Sequence, residues 1–360
     1  MRVRLEDVCE KGSSKLKQSD VIDQNGLYPV YGASGYLGNV NTYQQSNYYV
    51  AVVKDGAGIG RTMLLPPKSS IIGTMQYLIP KDNVLPEYLY YVVKAKHLEK
   101  YFSGATIPHI YFKDYKNEQF DLVSFEEQRE IINRIKKIEI IIDDLSKTLA
   151  LLDELVRARF VEMFGDPRIN PMNFNKSELK DTCDIITGNT PSRKNEEYYG
   201  NYIEWIKTDN IVVNKLNPTY AKESLSKEGM DAGRTVDKNC ILMACIAGSI
   251  SSIGRVCVTD RKVAFNQQIN AIVPKKYNCM FLYVLMQVSK DYLVDGINMA
   301  LKGILSKSRL EEKQFIVPPL ELQNQFASFV QEIDKSRSHI QKSLEASQEL
   351  FDSLMQEYFG

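Results

Sequence analysis

The sequence predicts an α+β protein in which two mixed α/β globular domains are separated by two long antiparallel coiled-coil helices, as a pseudo-twofold internal repeat. Two observations predict this class: short motifs recur at a nearly constant offset, and two segments free of Gly and Pro carry heptad-spaced apolar residues. A chain of 360 residues and 41.1 kDa suits two or three domains. The expected segments are a first head at 1–125, a central helix at 126–164, a second head at 165–319 and a C-terminal helix at 320–360.

The repeat is visible in paired motifs. The pairs that lie 195 residues apart are Gln119-Phe120 with Gln314-Phe315, Gln128 with Gln323, and Phe164-Gly165 with Phe359-Gly360. Two Ile-Gly-Arg sequences, ending at Arg61 and Arg255, lie 194 apart, whereas Cys9 and Cys183 end similar motifs 174 apart. The second copy therefore has about twenty additional residues near its start.

The heptad pattern predicts the helical spacer. Its principal seam positions are Ile131, Ile135, Ile138, Leu145, Leu149, Leu152, Val330, Ile333, Ile340, Leu344, Phe351 and Leu354. If these seams pack within the chain, connectivity makes them antiparallel, and about 38 residues at roughly 1.5 Å each give a spacer of about 57 Å. Arg159 and Arg337 interrupt the seam, and each is expected either to pair with an acidic group across the helices or to mark where the seam opens to a partner.

Composition narrows the class further. No uninterrupted apolar run exceeds the eight residues of Cys240 to Ala247, and the N-terminus is charged, so we expect no membrane span, no signal peptide and a cytoplasmic location. Six dispersed cysteines without a C-x-x-C motif, together with three histidines, favour reduced thiols over a metal site or a disulfide framework. The head segments together carry a net charge of +6 and the helical segments −6, which would let the heads face phosphate.

Sequences that could carry chemistry are better explained as turns. Asn217-Pro-Thr-Tyr220 approaches an adenine methyltransferase motif but lacks its second proline, and Gly56 to Gly60 lacks the full dinucleotide-binding spacing. We expect a packed or surface role for His109, and Trp205 and the Tyr88–Tyr91 run are expected in the core. No catalytic residue and no metal ligand is predicted.

One family resemblance covers nearly the whole chain. The second head contains Thr187-Gly-Asn-Thr-Pro-Ser-Arg193, then Ile203-Glu-Trp-Ile206, and Pro-Pro-Leu-Glu-x-Gln ends at Gln323. With two β-rich heads each followed by a heptad helix, these motifs resemble the specificity subunit of type I restriction–modification enzymes. The first head departs from the pattern, because Tyr28 to Gly35 replaces the Trp-Ile segment and Ser124-Phe125 replaces Pro-Pro.

The resemblance implies a division of labour. Each head would be a target recognition domain that reads one half of a bipartite site in double-stranded DNA, and the helices would set the gap and dock two methyltransferase subunits. Restriction/translocase subunits would join them. The chain itself would be the non-catalytic recognition subunit of an adenine-N6 DNA methyltransferase and type I restriction endonuclease. It would bind no cofactor, with S-adenosylmethionine, ATP and Mg on the partner subunits.

The residues that we expect to contact DNA are basic and hydroxyl side chains on loops of the heads. They are Lys54, Arg61, Lys68, Thr190, Ser192, Arg193, Lys194, Lys207 and Arg255. Arg and Lys would position phosphates, and Arg can read guanine edges. For each residue the alternative is a solvated surface charge, and for Arg61 and Arg255 it is a shared structural role. Gln76, Gln267 and Gln268 could read adenine or make structural hydrogen bonds.

Two other classes compete with DNA recognition. Heptads alone would also suit a scaffold whose heads bind proteins, and a self-contained methyltransferase would need motifs that the sequence lacks. Binding to duplex DNA that depends on both half-sites and weakens with salt would distinguish a DNA-recognition subunit from a protein-binding scaffold.

Overall fold

The computed structural model describes residues 1–21, 26–104, 108–213, 215–297 and 303–360. The chain divides into two compact units. Unit 1 contains Met1–Ser146 and Lys342–Gly360, and unit 2 contains Lys147–Gln341. Each unit therefore combines one head with part of both long helices.

The elements of the first repeat run from Arg2 to Phe164. They are β1 (Arg2–Arg4), α1 (Leu5–Val8), β2 (Cys9–Ser13), β3 (Tyr28–Gly32), β4 (Gly35–Val40), β5 (Tyr49–Val53), β6 (Thr62–Leu65), β7 (Ser70–Ile71), β8 (Met75–Pro80), α2 (Pro86–Ala95), α3 (Phe112–Tyr115), β9 (Gln119–Asp121) and α4 (Phe125–Phe164).

The second repeat runs from Lys176 to Phe359. Its elements are β10 (Lys176–Glu178), α5 (Leu179–Thr182), β11 (Cys183–Thr187), β12 (Tyr199–Ile206), β13 (Ser224–Leu225), α6 (Lys227–Ala232), β14 (Thr235–Val236), β15 (Ile241–Ala244), β16 (Ile246–Ala247), β17 (Val256–Val258), β18 (Val263–Phe265), β19 (Ile269–Pro274), α7 (Cys279–Val288), α8 (Lys290–Val294), β20 (Gly303–Ile304), α9 (Lys307–Glu311), β21 (Gln314–Ile316) and α10 (Leu320–Phe359).

The sheet topology confirms the internal repeat. Unit 1 has an antiparallel sheet of order β2-β8-β5-β6, and unit 2 has the matching order β11-β19-β15-β17. Each head also contains one parallel strand pair, β3 with β7 and β12 with β18. The first and last strands of each head pair as well, β1 with β9 and β10 with β21. The two heads therefore share one mixed fold, and the second is enlarged around β12 to β14.

The two long helices begin with different sequences, each of which suits the first turn of a helix. Ser124 Oγ accepts a hydrogen bond from Glu127 N at 3.3 Å, and Glu127 Oε2 accepts one from Ser124 N at 3.1 Å. This capping box satisfies backbone donors at the start of α4. Before α10 stand Pro318 and Pro319, whose fixed φ suits a helix start. The departure of the first copy from Pro-Pro thus preserves a helix start.

In unit 1 the first part of α4 and the last part of α10 pack antiparallel against the head. Ile135 is fully buried, Ile138 and Phe351 are nearly so, and Ile131 and Leu354 are half-buried. Near the chain end, Phe359 packs edge-on against Tyr88, with 5.2 Å between ring centroids. Tyr88 and Tyr91 are buried as predicted, while Tyr90 is half-buried.

In unit 2 the last part of α4 packs antiparallel to the first part of α10. The ring centroids of Phe160 and Phe326 lie 5.5 Å apart, and those of Phe164 and Phe281 of α7 lie 4.8 Å apart. Val330 is buried and Ile333 half-buried in the same core. The mid-helix seam positions Leu145, Leu149, Leu152, Ile340 and Leu344 are half-buried. The seam is therefore most buried near the heads.

The two seam arginines resolve differently. Arg337 pairs with Asp153 across the helices at 2.5 Å, which is the first of the two expected roles. Arg159 pairs with Glu162 on its own helix at 2.8 Å and lies 6.0 Å from the ring of Phe329. The chain turns after α4 at Gly165, whose φ of +72° suits glycine, and a Cβ there would lie 2.3 Å from Pro171.

Candidate nucleic-acid interface

The segment after β11 is held against the second head by its backbone. Gly188 N donates to Ile269 O at 3.0 Å, and a Cβ at Gly188 would lie 2.2 Å from Asn266 O, so only glycine fits. Trp205 Nε1 donates to Asn189 O at 3.3 Å. Trp205 is 3% exposed, which confirms the core placement expected from the sequence. The Thr-Gly-Asn-Thr-Pro-Ser-Arg segment is therefore fixed in position, with Thr190, Ser192 and Arg193 exposed and Pro191 buried.

Two predicted contact residues meet over Trp205. The guanidinium of Arg193 lies 4.3 Å from the ring centroid of Tyr199 and 5.2 Å from that of Trp205. Lys207 Nζ lies 5.0 Å from the Trp205 ring. Glu223 accepts hydrogen bonds from both cations, with Arg193 at 2.6 Å. We call Arg193, Lys207, Glu223, Trp205 and Tyr199 the Trp205 cluster.

The charged groups of the Trp205 cluster are held in place and reach solvent, whereas Trp205 itself is buried. The hydrogen bonds from Lys207 and Arg193 hold the pKa of the Glu223 carboxyl below its ordinary value. The Arg193 side chain is 56% exposed. Aromatic faces attract cations, and the carboxylate fixes where they point, so both cations are held in place at the surface. Such a pair can meet a phosphate or a base edge without ordering long side chains first.

Three other predicted residues of the second head lie on the segment before β12, and the fourth lies just before β17. Thr190 donates to Gln267 Oε1, while Ser192 and Lys194 are exposed on the segment before β12. Arg255 lies apart from the Trp205 cluster in the chain, immediately before β17, where its Nε donates to Ser252 O at 3.2 Å.

In the first head, the Gly56 to Gly60 segment is a tight turn, as expected. Gly56, Gly58 and Gly60 have φ values of +84°, +92° and +81° between β5 and β6. Lys54 lies 4.0 Å from Asp55, and Arg61 Nη1 donates to Ala33 O at 2.8 Å.

Two more residues flank this turn. Lys68 is exposed, and its φ of +55° is unusual for a residue with a side chain. His109 Nδ1 lies 2.6 Å from Asp55 Oδ1, and its backbone pairs with Ser103, so it packs beside the turn as expected. Among the described residues, no two of the three predicted basic residues of this head share an acidic partner, unlike Arg193 and Lys207 in the second head.

The glutamines have structural partners. Gln76 Nε2 donates to Gly12 O, Gln267 accepts from Thr190, and Gln268 Oε1 accepts from Asn266 Nδ2 at 3.1 Å. These are the structural hydrogen bonds that the sequence left as one of two alternatives. The matched Arg61 and Arg255 both donate to backbone carbonyls, in different loops.

Two functional candidates could not be found from sequence. Glu223 meets Lys207 because β12 and β13 pair antiparallel, with Trp205 N donating to Glu223 O at 3.1 Å. Lys290 meets the Ser251 carbonyl at 2.6 Å through the packing of α8. Neither contact has a signal in local spacing, because both depend on tertiary pairing.

The described residues form neither a metal centre nor a membrane-spanning helix. Among the described residues, no group of three or more His, Cys, Asp or Glu side chains is arranged to hold a metal ion. In the same part of the chain, no helix combines the length and apolarity that crossing a bilayer requires.

A family model for the type I restriction modification DNA specificity domain matches residues 1–154 and 171–347. The two matched segments coincide with the two repeats and cover most of the chain. The chain therefore belongs to the family of type I restriction–modification DNA specificity subunits.

Individual relatives agree with the family. The HindI specificity subunit of Haemophilus influenzae is 32% identical over 158 residues, 42% of this chain and 33% of that protein. The MjaIX specificity subunit of Methanocaldococcus jannaschii is 24% identical over 311 residues, 77% of this chain and 69% of its own. The match thus spans one third of the first relative and about two thirds of the second.

Two solved structures share the fold. An S subunit of a type I restriction–modification system from M. genitalium aligns with a TM-score of 0.66 at 14% identity, covering 100% of this chain and 96% of that one. A chain from a structure on complex assembly of the type I system aligns with a TM-score of 0.60 at 15% identity, covering 100% and 97%. At this identity the likeness concerns the fold.

Proposed function

We propose that the chain is the non-catalytic DNA sequence-specificity subunit of a type I restriction–modification system. Each target recognition domain reads one half of a bipartite site in double-stranded DNA. The observation that carries this proposal is the duplication itself: two heads with matching sheet order, each followed by a 40-residue helix. Two reading heads joined by a helical spacer suit two half-sites separated by a defined gap.

In the second head, the proposed contact surface is the Trp205 cluster with its neighbours Thr190, Ser192 and Lys194. Arg193 and Lys207 are already held by aromatic faces and by Glu223, which lowers the cost of ordering them on DNA. Arg193 suits bidentate recognition of guanine or phosphate, and Lys207 suits phosphate. Arg255, immediately before β17, supplies a further cation.

In the first head, Lys54, Arg61 and Lys68 surround the glycine turn between β5 and β6. Glycines with positive φ let backbone N–H groups approach a phosphate closely. We propose that the exposed tip of this turn, Ala57 and Gly58, faces the DNA backbone, since three basic side chains flank it, whereas the Gly56 and Gly60 N–H groups already donate to Pro108 O and Val53 O.

The helices are proposed to set the gap and to dock two methyltransferase subunits. Exposed apolar side chains on α4 support this role, Ile140 and Ile141 in unit 1 and Leu151 and Leu155 in unit 2, at 45–61% exposure. Restriction/translocase subunits complete the assembly. S-adenosylmethionine, ATP and Mg would serve those partners, whose reaction is adenine-N6 methylation or cleavage.

Methylation mapping of the host genome tests the proposal. Single-molecule sequencing is compared between the host and a strain that lacks this gene, both retaining the neighbouring methyltransferase gene. We expect N6-methyladenine to disappear at one split motif. Complementation with Arg193→Gln/Lys207→Gln should restore it poorly, and complementation with Lys180→Gln, at an exposed position of α5, should restore it fully. Unchanged methylation together with no duplex binding by the purified chain would instead indicate a protein-binding scaffold.

A further inference from the structure

In unit 2 two cations converge on one short turn between β16 and β17. Lys290, the first residue of α8, donates from Nζ to Ser251 O at 2.6 Å. Arg255 donates from Nε to Ser252 O at 3.2 Å. Because these carbonyls belong to adjacent residues, the ammonium and the guanidinium lie at the same turn although they are 35 positions apart in sequence.

This pair of cations has no carboxylate ion-pair partner among the described residues, although the charge of Asp291 acts on Lys290. Within the described ranges, no carboxylate oxygen lies within 4.0 Å of a side-chain nitrogen of Arg255 or Lys290, unlike Arg193 and Lys207, which share Glu223. Burial and the neighbouring charge of Arg255 lower the pKa of the Lys290 ammonium. Two close like charges are stabilised when an anion binds between them.

The turn also offers neutral hydrogen-bond donors. Ser249 Oγ lies 3.0 Å from Ser251 Oγ and 2.9 Å from Ser252 Oγ, and Ser249 and Ser251 are exposed. Gly254 has a φ of +74°, which lets the chain return to β17 beside the Lys290 stem. Hydroxyl groups beside two cations suit a tetrahedral oxyanion better than a flat base edge.

We propose that Arg255 and Lys290 together bind one phosphodiester group of duplex DNA, at a site built from elements other than those of the Trp205 cluster. This inference rests on the proposed DNA-recognition function and assigns Lys290 a contact that the sequence did not suggest. A phosphate contact of this kind positions the head on the duplex and does not choose the sequence.

The same turn in unit 1 is built differently. Gly60 is the counterpart of Gly254, but a Cβ at Gly60 would lie 2.9 Å from Glu99 Oε2, whereas one at Gly254 would lie 3.7 Å from Lys290 Cγ. An acid therefore stands where unit 2 has the lysine stem. Arg61 donates to Ala33 O in place of its own turn. The two-cation site is consequently confined to the second head.

The test is the salt dependence of binding to a duplex that carries both half-sites found by methylation mapping. The full chain, assembled with its methyltransferase subunits, is compared with Lys290→Gln and Arg255→Gln, and Lys180→Gln, at an exposed position of α5 in the same head, serves as the matched control. Each site variant should lower the slope of log Kd against log salt, and the double variant should lower it by about 0.9, because the two cations hold one phosphate contact, which releases about that many counterions. Cognate and non-cognate duplexes should weaken by the same factor, and the control should match the wild type.

A second readout uses the unmodified protein. Reductive methylation of Lys290 should be suppressed by the duplex but not by inorganic phosphate at equal phosphate concentration and ionic strength. Equal protection by inorganic phosphate would overturn the assignment to DNA. Sequence-specific binding by the wild type with unchanged slopes in both variants would overturn this inference alone, and no duplex binding by the wild type would overturn the proposed function with it.

Discussion

The side-chain oxygen of Gln323 accepts a 2.9 Å hydrogen bond from the backbone nitrogen of Asn278. Asn278 is the N-cap of α7, and Gln323 lies in the first turn of α10, where its Nε2 also donates to Pro318 O at 2.8 Å. In the first repeat, Gln128 accepts from Leu85 N at 2.9 Å and donates to Val123 O at 3.0 Å. The same amide thus ties a head helix to the start of a long helix in both copies.

Replacing Gln323 by Leu should destabilise the protein by about 1–3 kcal/mol, because the buried Asn278 N–H and Pro318 carbonyl lose their partners. Gln323 is fully buried, so water cannot easily replace the amide. Urea unfolding of the full chain measures the loss. The matched control is Gln325→Leu, two residues along the same helix and exposed, which should stay within about 0.5 kcal/mol of the wild type. Equal effects of the two changes would mean that the hydrogen bonds contribute little.

Phe164 at the end of α4 completes the core of unit 2. It is fully buried, and its ring centroid lies 4.8 Å from that of Phe281 and 5.5 Å from that of Phe326. Phe164→Ala should lower the free energy of unfolding by about 3–5 kcal/mol, since it removes a large side chain from a packed site. Val161→Ala on the same turn is the control, because Val161 is 51% exposed. Thermal and urea unfolding should separate them, and a small loss for Phe164→Ala would show that the core refills the space.

The repeat and the helices could be predicted because they depend on local patterns. The heptad phase and the Gln128–Gln323 offset follow from sequence spacing alone. The site could be predicted only in part. Arg193 and Lys207 are visible beside a motif, but Glu223 joins them through the β12–β13 pairing, and Lys290 reaches its turn through the packing of α8. Long-range register decides such contacts, and a single sequence does not encode it in any short window.

The Arg337–Asp153 ion pair should stabilise the folded protein more than the contact between Arg337 and Asp334 does. Arg337 is 3.9 Å from Asp334 and 2.5 Å from Asp153, and its side chain is 20% exposed. Asp153→Asn should cost about 0.5–1 kcal/mol, since it removes the near partner of a mostly buried cation.

Asp334→Asn is the contrasting variant for the same arginine. Burial raises the pKa of the Asp334 carboxyl, although Arg337 acts to lower it. A folded-state pKa above the unfolded value means that this carboxyl favours folding at low pH and that the benefit is lost as pH rises through the folded pKa. At pH 7 Asp334→Asn should therefore leave stability unchanged or slightly higher, as measured by urea unfolding. A larger loss than that of Asp153→Asn would reverse the assignment.

The Glu223 carboxylate should make the free energy of unfolding depend on pH in the acidic range. Hydrogen bonds from Lys207 and Arg193 place its pKa in the folded protein below the ordinary value of 4.5. Its stabilising contribution is present above about 4.5 and is lost as pH falls through the folded pKa. Glu223→Gln should therefore be less stable than the wild type at pH 6, and the difference should shrink on acidification. Chemical unfolding at several pH values measures it, with Glu228→Gln on α6 as a control that should show no such convergence.

If the Trp205 cluster contacts DNA as proposed, Glu223 should also control that contact. Its negative charge repels phosphate while its oxygens aim Arg193 and Lys207. Glu223→Gln should raise affinity for non-cognate duplex several-fold, because a negative charge is removed beside two cations, and cognate affinity should rise less, because the cations are no longer held in place. The ratio of the two affinities, measured by fluorescence anisotropy at fixed salt, should fall. Arg193→Gln should lower both affinities, and if Arg193 reads a base its loss should relax preference at one position of the half-site. A Glu223→Gln chain that kept its full discrimination would show that the carboxylate only holds the fold.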